Sequence, residues 1–161
     1  RAVARRAHAF GMKIIFTTRS SDPGDDRFTR VDFESLLRES DIVSIHCPLT
    51  DETTRLFDPH ALESMKPGSF LINTARGSVV DEEALVESLE TGHLAGAGLD
   101  VFEDEPHAHP GLRDRTDVVL LPHIGSATVE TRTAMARLAA SNVAAVLRGD
   151  RPPHPVNELV R

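Results

Sequence analysis

The clearest fold signal in the chain is the segment from Ser69 to Phe102, SFLINTARGSVVDEEALVESLETGHLAGAGLDVF. An apolar run (69–75) is followed by a helical pattern (81–92) and then by a second apolar run (94–102). Acidic residues open the helical pattern and Gly92 closes it, which suits the helix dipole and the usual helix stop. The segment therefore predicts a strand–helix–strand unit with parallel strands.

The same alternation of strands and helices extends on both sides of this unit. Further strands are predicted in KIIFTT (13–18), DIVSIHC (41–47) and DVVLLP (117–122), and Val118–Leu121 indicates a strand buried on both faces. Helices are predicted over 1–11, 33–40 with Asp32 as N-cap, 58–68 and 127–148. The pattern is that of a doubly wound parallel α/β sheet over residues 1–149, followed by a proline-rich extended tail over 150–161.

Composition excludes several classes of protein. The 161 residues carry a net charge of −7, so no basic surface is expected for nucleic acid. No apolar run is long enough to cross a bilayer. Cys47 is the single cysteine, which excludes a disulfide framework, favours the cytoplasm and indicates a small buried side chain rather than a nucleophile.

Polar residues follow the predicted strands at the point where each one ends. Parallel strands bring their carboxyl ends to one edge of a sheet, and open α/β sheets bind ligands there. Any one of these residues alone would more often be a loop residue or a helix cap, but the set predicts a ligand site. Its members are Thr18, Arg19, His46, Cys47, Asn73, Thr74, Arg76, Asp100 and His123.

Three residues at or near this edge suit one reaction. The guanidinium of Arg76 can hold a carboxylate with two hydrogen bonds, and His123 can donate or accept a proton near neutral pH. Glu105 lies close enough in the chain to favour the imidazolium form of the histidine. An anion clamp, a proton donor and a dinucleotide-type sheet together suit hydride reduction of a 2-oxo acid.

Three blocks resemble the signatures of the D-isomer-specific 2-hydroxyacid dehydrogenases: INTARGSVVDEEAL (72–85), LAGAGLDVFEDEP (94–106) and LLPHIGSATVETR (120–132). The resemblance covers nearly the whole chain and implies a Rossmann-type nucleotide-binding domain. It implies that Arg76 binds the carboxylate and carbonyl of the substrate, that His123 is the acid/base and that Glu105 is its partner. Within this family, the sequence most resembles the glyoxylate/hydroxypyruvate reductases, which form D-2-hydroxy acids.

The resemblance also implies cofactor contacts and a homodimer built through this domain. Asp100 would contact the nicotinamide carboxamide, and Thr74 and Ala75 would line the nicotinamide site. Pro48 would line the adenosine side. Cys47, Thr53 and Gly125 are assigned to the cofactor as well.

The end of KIIFTT decides the expected cofactor. NAD-specific sites place an acid there for the ribose 2′-hydroxyl. This chain instead has Thr18, Arg19 and Ser20, with no acid until Asp22. A guanidinium and hydroxyl groups suit a 2′-phosphate, so NADP is the expected cofactor ahead of NAD.

The resemblance places a strand and a G-x-G-x-x-G loop immediately before Arg1. That strand is expected between KIIFTT and SFLINTA, and a separate substrate domain is expected before it, with the tail over 150–161 crossing toward that domain. The 161 residues are accordingly expected to be part of a longer polypeptide and, alone, to bind cofactor poorly and turn over nothing.

Two alternatives for the function remain open. The chain could belong to a phosphoglycerate or D-lactate type dehydrogenase, or to a non-catalytic dinucleotide-sensing module resembling a corepressor. A pure sensor has no need of the trio Arg76, Glu105 and His123. Among the other polar residues, His107 and His109 form an H-x-H pair, which is assigned to a loop and not to a metal site. The acids of DEEALVESLE are expected on a solvated helix face.

Overall fold

All the strands pair in parallel and form two sheets in the computed structural model, which describes residues 1–19 and 25–156. A short sheet pairs β1 (Ile15–Phe16) with β2 (Thr29–Arg30). In the described part of the chain the main sheet has four strands in chain order, namely β3 (Ile42–Ile45), β4 (Phe70–Asn73), β5 (Gly96–Leu99) and β6 (Val118–Leu120). The parallel α/β architecture expected from the sequence is confirmed.

The described residues form six α-helices, of which the first precedes the strands and the others connect or follow them, and one 3-10 turn over Gly77–Val79. The helices are α1 (Ala2–Ala9), α2 (Phe33–Glu39), α3 (Pro59–Glu63), α4 (Glu82–Glu90), α5 (Pro110–Arg113) and α6 (Val129–Leu147). The carboxylate of Asp32 accepts the N–H of Ser35, as predicted for an N-cap. Gly92 follows α4 with φ +72°, a conformation that favours glycine.

The core lies on one face of the main sheet. Side chains from α2 to α5 form one cluster with Val43, Ile45, Leu71 and Leu99 of the strands. On the opposite face Val119 is 62% exposed, so the expectation that 118–121 is buried on both faces is wrong. The physical reason is that successive strand residues point to opposite faces, and the clustered side chains of α2–α5 pack on only one of them.

The expected further strand between KIIFTT and SFLINTA stays a prediction. Both edges of β4 are occupied, by β3 on one side and β5 on the other, so such a strand would not be a direct neighbour of SFLINTA. Within the described residues, the edge of β3 that faces away from β4 has no paired strand. Periodicity predicts that strands exist but not which strands are neighbours, so the pairing of SFLINTA with DIVSIHC is visible only in the structure.

The chain divides into two compact units, Arg1–Pro122 and His123–Arg161. In the second unit, α6 lies within two residues of the predicted 127–148. The side chain of Asn142 both donates to the carbonyl of His154 (3.1 Å) and accepts its N–H (3.0 Å), which fastens the tail to the helix. No helix in the described part of the chain has the length and apolarity needed to span a membrane.

Candidate active site

The register of the main sheet aligns the carboxyl ends of its strands. Ile45 pairs with Asn73, Asn73 with Leu99, and Leu99 with Leu120, so these four residues form one row across the sheet. The residues that follow them, including His46, Thr74 and Asp100, therefore share one edge. The sequence-based expectation of a common polar edge holds for the first unit.

Asn73 supports the turn that presents Arg76. Its buried side chain donates to the carbonyl of Arg76 (2.9 Å) and accepts the N–H of Ala75 (3.0 Å). Its own carbonyl accepts the N–H of Asp100 (2.9 Å), which ties the turn to the end of β5. Thr74 and Arg76 are exposed on this turn, while Asp100 is buried. Sequence reasoning placed Asn73 at the edge but gave it no role. An amide in the last position of a buried strand was the available signal.

Gly77 brings the turn after Arg76 against the segment that leads to Glu105. A Cβ at this glycine would lie 1.9 Å from both the carbonyl carbon and the carbonyl oxygen of Phe102. Only a residue without a side chain allows two backbones to approach so closely. The positions of Arg76 and Glu105 are therefore mechanically connected through backbone packing.

Glu105 is exposed on the loop that follows β5, and its Oε1 is 3.4 Å from the N–H of Phe102. A cleft of about 340 Å³ borders this loop, and Phe102, Pro106, Leu120 and Pro122 contribute to its lining. The residue directly after Glu105 and the residue directly before His123 thus line the same cleft. The loop that carries Glu105 consequently lies along the end of β6.

His123 has an unusual backbone conformation. Its φ is +53°, in the left-handed region that few residues other than glycine adopt, although histidine does so more often than most. Such conformations cluster at functional sites. His123 and Gly125 are exposed and belong to the second unit, whereas Arg76 and Glu105 belong to the first. The pairing of Glu105 with His123 stays a prediction.

The residues after β1 are those on which the sequence-based expectation for the cofactor depends. The carbonyl of Thr18 accepts a hydrogen bond from Nη2 of Arg30 (2.7 Å), so a second guanidinium lies near this strand end. The Nη1 atom of Arg19 is 3.7 Å from Oε2 of Glu52, and both side chains are largely exposed. Ser20 lies outside the described residues. Sequence reasoning missed Arg30 and Glu52 because they reach this point from distant parts of the chain.

The residues assigned to the adenosine side lie in the loop after β3. Pro48 is exposed, but Thr53 is buried, and its hydroxyl donates to the carbonyl of Pro48 (2.7 Å) and accepts the N–H of Thr50 (2.8 Å). Thr53 therefore shapes the loop. Cys47 is half-buried against the core, and burial raises the pKa of its thiol, which disfavours the nucleophilic thiolate.

The H-x-H pair divides between two carboxylates. His107 lies 3.8 Å from Asp104, and His109 lies 3.1 Å from Glu83. Over residues 1–19 and 25–156, no group of three or more His, Cys, Asp or Glu side chains is placed to hold a metal ion.

The chain is similar in sequence to known dehydrogenases and reductases. Residues 1–125 match the family model described as D-isomer specific 2-hydroxyacid dehydrogenase, NAD binding domain. The glyoxylate reductase of Thermococcus litoralis is 50% identical over 162 residues, which cover 99% of this chain and 49% of that protein. The chain thus spans about half the length of the curated relatives it matches.

Two solved structures show the fold. An NADPH-dependent glyoxylate/hydroxypyruvate reductase from Sinorhizobium meliloti, in complex with NADP and malonate, has a TM-score of 0.89 and 40% identity, covering 98% of this chain and 49% of that one. A D-isomer specific 2-hydroxyacid dehydrogenase from Lactobacillus delbrueckii ssp. bulgaricus, in its NAD-complexed form, has a TM-score of 0.85 and 33% identity, covering 97% and 52%. The family model matches most of the chain, and the parallel sheet with its polar edge agrees with that match. The chain therefore belongs to the D-isomer-specific 2-hydroxyacid dehydrogenase family.

Proposed function

We propose that this chain is the nucleotide-binding part of an NAD(P)-dependent reductase for small 2-oxo acids of the glyoxylate or hydroxypyruvate type. The observation that carries the proposal is the close packing at Gly77, which brings the Arg76 turn and the Glu105 loop together at the carboxyl edge of the sheet. The names of the T. litoralis and S. meliloti relatives support the same substrate class.

Each member of the trio has a distinct task in this reaction. Arg76, on a turn braced by Asn73, holds the substrate carboxylate with paired hydrogen bonds and polarises the carbonyl. His123 donates a proton to the carbonyl oxygen, which becomes the hydroxyl of the product. Glu105 favours the protonated imidazole. The nicotinamide cofactor, when bound, supplies the hydride that the carbonyl carbon accepts.

The finer proposal for the cofactor is a preference for NADPH. Thr18, Arg19 and Arg30 bring a hydroxyl and two guanidinium groups to the end of the short sheet, and this donor set fits a ribose 2′-phosphate. Glu52 lies beside Arg19 and would oppose a bound phosphate, so Arg19 must exchange its carboxylate partner for the phosphate. Asp100, Thr74 and Ala75 would contact the nicotinamide end.

We also propose that the enzyme is a cytoplasmic homodimer. Large apolar side chains of α6 are exposed, among them Val129, Met135 and Val143, and exposed apolar surface of this kind often marks an interface between subunits. Light scattering on the full-length protein that finds only monomer at micromolar concentration would contradict the dimer.

The activity is tested by measuring kcat/KM of the full-length protein for glyoxylate and hydroxypyruvate with NADPH and with NADH. We expect reduction of both acids and a steep rise in KM with a fall in kcat for Arg76→Ala. Arg38→Ala removes an exposed guanidinium from α2 and is the matched control. An inactive wild-type protein, or an Arg76→Ala variant that behaves as Arg38→Ala does, contradicts the proposal.

A further inference from the structure

Glu82 is an ionisable side chain that the proposed reaction does not use and that is nevertheless only 4% exposed. It is the first residue of α4, where sequence reasoning expected a solvated helix face, and this expectation is wrong for Glu82. Glutamate is almost never buried in proteins unless its carboxylate has partners. The partners of Glu82 therefore indicate what the residue does.

Both carboxylate oxygens of Glu82 accept backbone hydrogen bonds from one distant segment. Oε1 accepts the N–H of Glu103 at 2.8 Å, and Oε2 accepts the N–H of His109 at 3.2 Å. These two N–H groups lie at opposite ends of the segment 103–109, and Glu105 lies between them. One carboxylate thus holds both ends of the loop that presents Glu105.

The neighbouring acids attach the same segment to the start of α4. Arg55 bridges Asp81 (3.2 Å) and the side chain of Glu103 (3.5 Å), and the ring of His109 lies 3.1 Å from Glu83. In each of these outer contacts one partner, Arg55 or Glu83, is largely exposed, and ion pairs that solvent reaches are worth little individually. The buried carboxylate of Glu82 is the member of the set whose loss leaves backbone donors without their acceptor.

We propose that Glu82 is a positioning residue that fixes the loop over 103–109, so that Glu105 is held in place to act on the catalytic histidine. The proposal rests on the function proposed above, because Glu82 acts on catalysis only through Glu105. The contacts that brace the Arg76 turn and the end of β1 do not involve Glu82, so the binding of NADPH is expected to survive loosening of the loop. Because Gly77 packs on Phe102, part of the loosening reaches the Arg76 turn, and the effect on proton donation is therefore read from the pH profile and not from KM.

The variant Glu82→Gln is suited to the test. Burial raises the pKa of Glu82, and the hydrogen bonds from Glu103 and His109 only partly oppose this, so a neutral amide of the same shape relieves a desolvation cost. Glutamine can accept one of the two N–H groups, but its amide NH₂ then faces the other donor. The fold is expected to survive while one end of the loop is released. Glu82→Asp keeps the charge but is one methylene shorter, and it carries the test if the glutamine variant does not fold.

Two measurements on the full-length protein test the proposal. In hydrogen–deuterium exchange, we expect the amides of Glu103 and His109 to exchange at least about tenfold faster in Glu82→Gln. In steady-state reduction of glyoxylate, kcat should fall by about 10- to 100-fold, and the basic limb of the kcat/KM profile should move to lower pH. The dissociation constant of NADPH should stay unchanged. Glu87→Gln, an exposed acid on the same helix, should leave all of these quantities at wild-type values.

The reference for the pH profile is Glu105→Gln. If Glu105→Gln moves the basic limb and Glu82→Gln does not, or if exchange at Glu103 and His109 is unaltered, the positioning role is overturned. If Glu105→Gln itself leaves the limb in place, the role proposed for Glu105 is wrong, and the inference fails with it. If both move the limb, the double variant should move it no further than Glu105→Gln alone, because the two residues act through one imidazole.

Discussion

Replacing Gly77 with alanine perturbs the contact that connects the Arg76 turn to the Glu105 loop. The new Cβ would lie 1.9 Å from backbone atoms of Phe102, and the two segments must separate by about 1.5 Å to reach the ordinary contact distance of 3.4 Å. Neither side can yield by a change of rotamer, because the atoms in conflict are backbone atoms. The turn is also fixed by the side chain of Asn73.

Overpacking of this kind costs about 3 kcal/mol or more of the free energy of unfolding. A displacement of about 1 Å between groups that act on one substrate is expected to lower kcat by about 100-fold. Both quantities are measured on the full-length protein, the first by urea unfolding followed by circular dichroism and the second by reduction of glyoxylate with saturating NADPH.

Gly98→Ala is the matched control, because its Cβ would meet only the mobile end of Ile72, at 3.0 Å. That variant should stay within about 1 kcal/mol of the wild type and should retain its kcat. A Gly77→Ala protein that matches Gly98→Ala in both measurements would show that the packing at Gly77 does not hold the Arg76 turn and the Glu105 loop together.

Two further predictions concern the cofactor and the response to acid. Thr18→Asp combined with Arg19→Ala should turn the preference toward NADH, and Glu52→Gln should lower the KM for NADPH by removing the carboxylate beside Arg19. A wild-type kcat/KM that favours NADH tenfold, about 1.4 kcal/mol, would contradict the cofactor proposal. The hydrogen bond from the N–H of Ser35 lowers the pKa of Asp32, so this cap stabilises the fold fully above the unfolded carboxyl pKa of about 3.9 and is lost as the pH falls through the folded pKa. Asp32→Asn should keep the cap and flatten the acid side of a Tm–pH curve, and an unchanged curve would count against this assignment.

Local features of the fold could be predicted from the sequence. Asp32 caps the start of its helix and Gly92 follows the end of its helix as expected, because capping depends on residues a few positions apart. The polar edge could be predicted as well, since it needs only the ends of parallel strands. The neighbours of β4 could not, because the order of strands depends on pairing between distant segments.

The contacts missed at the site are those between residues far apart in the chain. Glu82 reaches Glu103 and His109, and Arg19 reaches Glu52, across separations that no periodicity reports. An acidic side chain in the first turn of a helix interacts favourably with the helix dipole whether it is exposed or buried. The sequence alone therefore could not distinguish the buried Glu82 from its solvated neighbours. The left-handed backbone of His123 is likewise visible only in the structure.

One substitution tests whether His123 is the proton donor in the proposed reduction of a 2-oxo acid. The most direct measurement is the kcat of full-length His123→Ala for glyoxylate with NADPH, beside that of His107→Ala, which removes another exposed histidine. We expect a loss of about 10²- to 10⁴-fold for His123→Ala, as for other lost acid/base groups, and a wild-type kcat for His107→Ala. A His123→Ala enzyme whose kcat stays within about twofold of the wild type would show that His123 is not the proton donor.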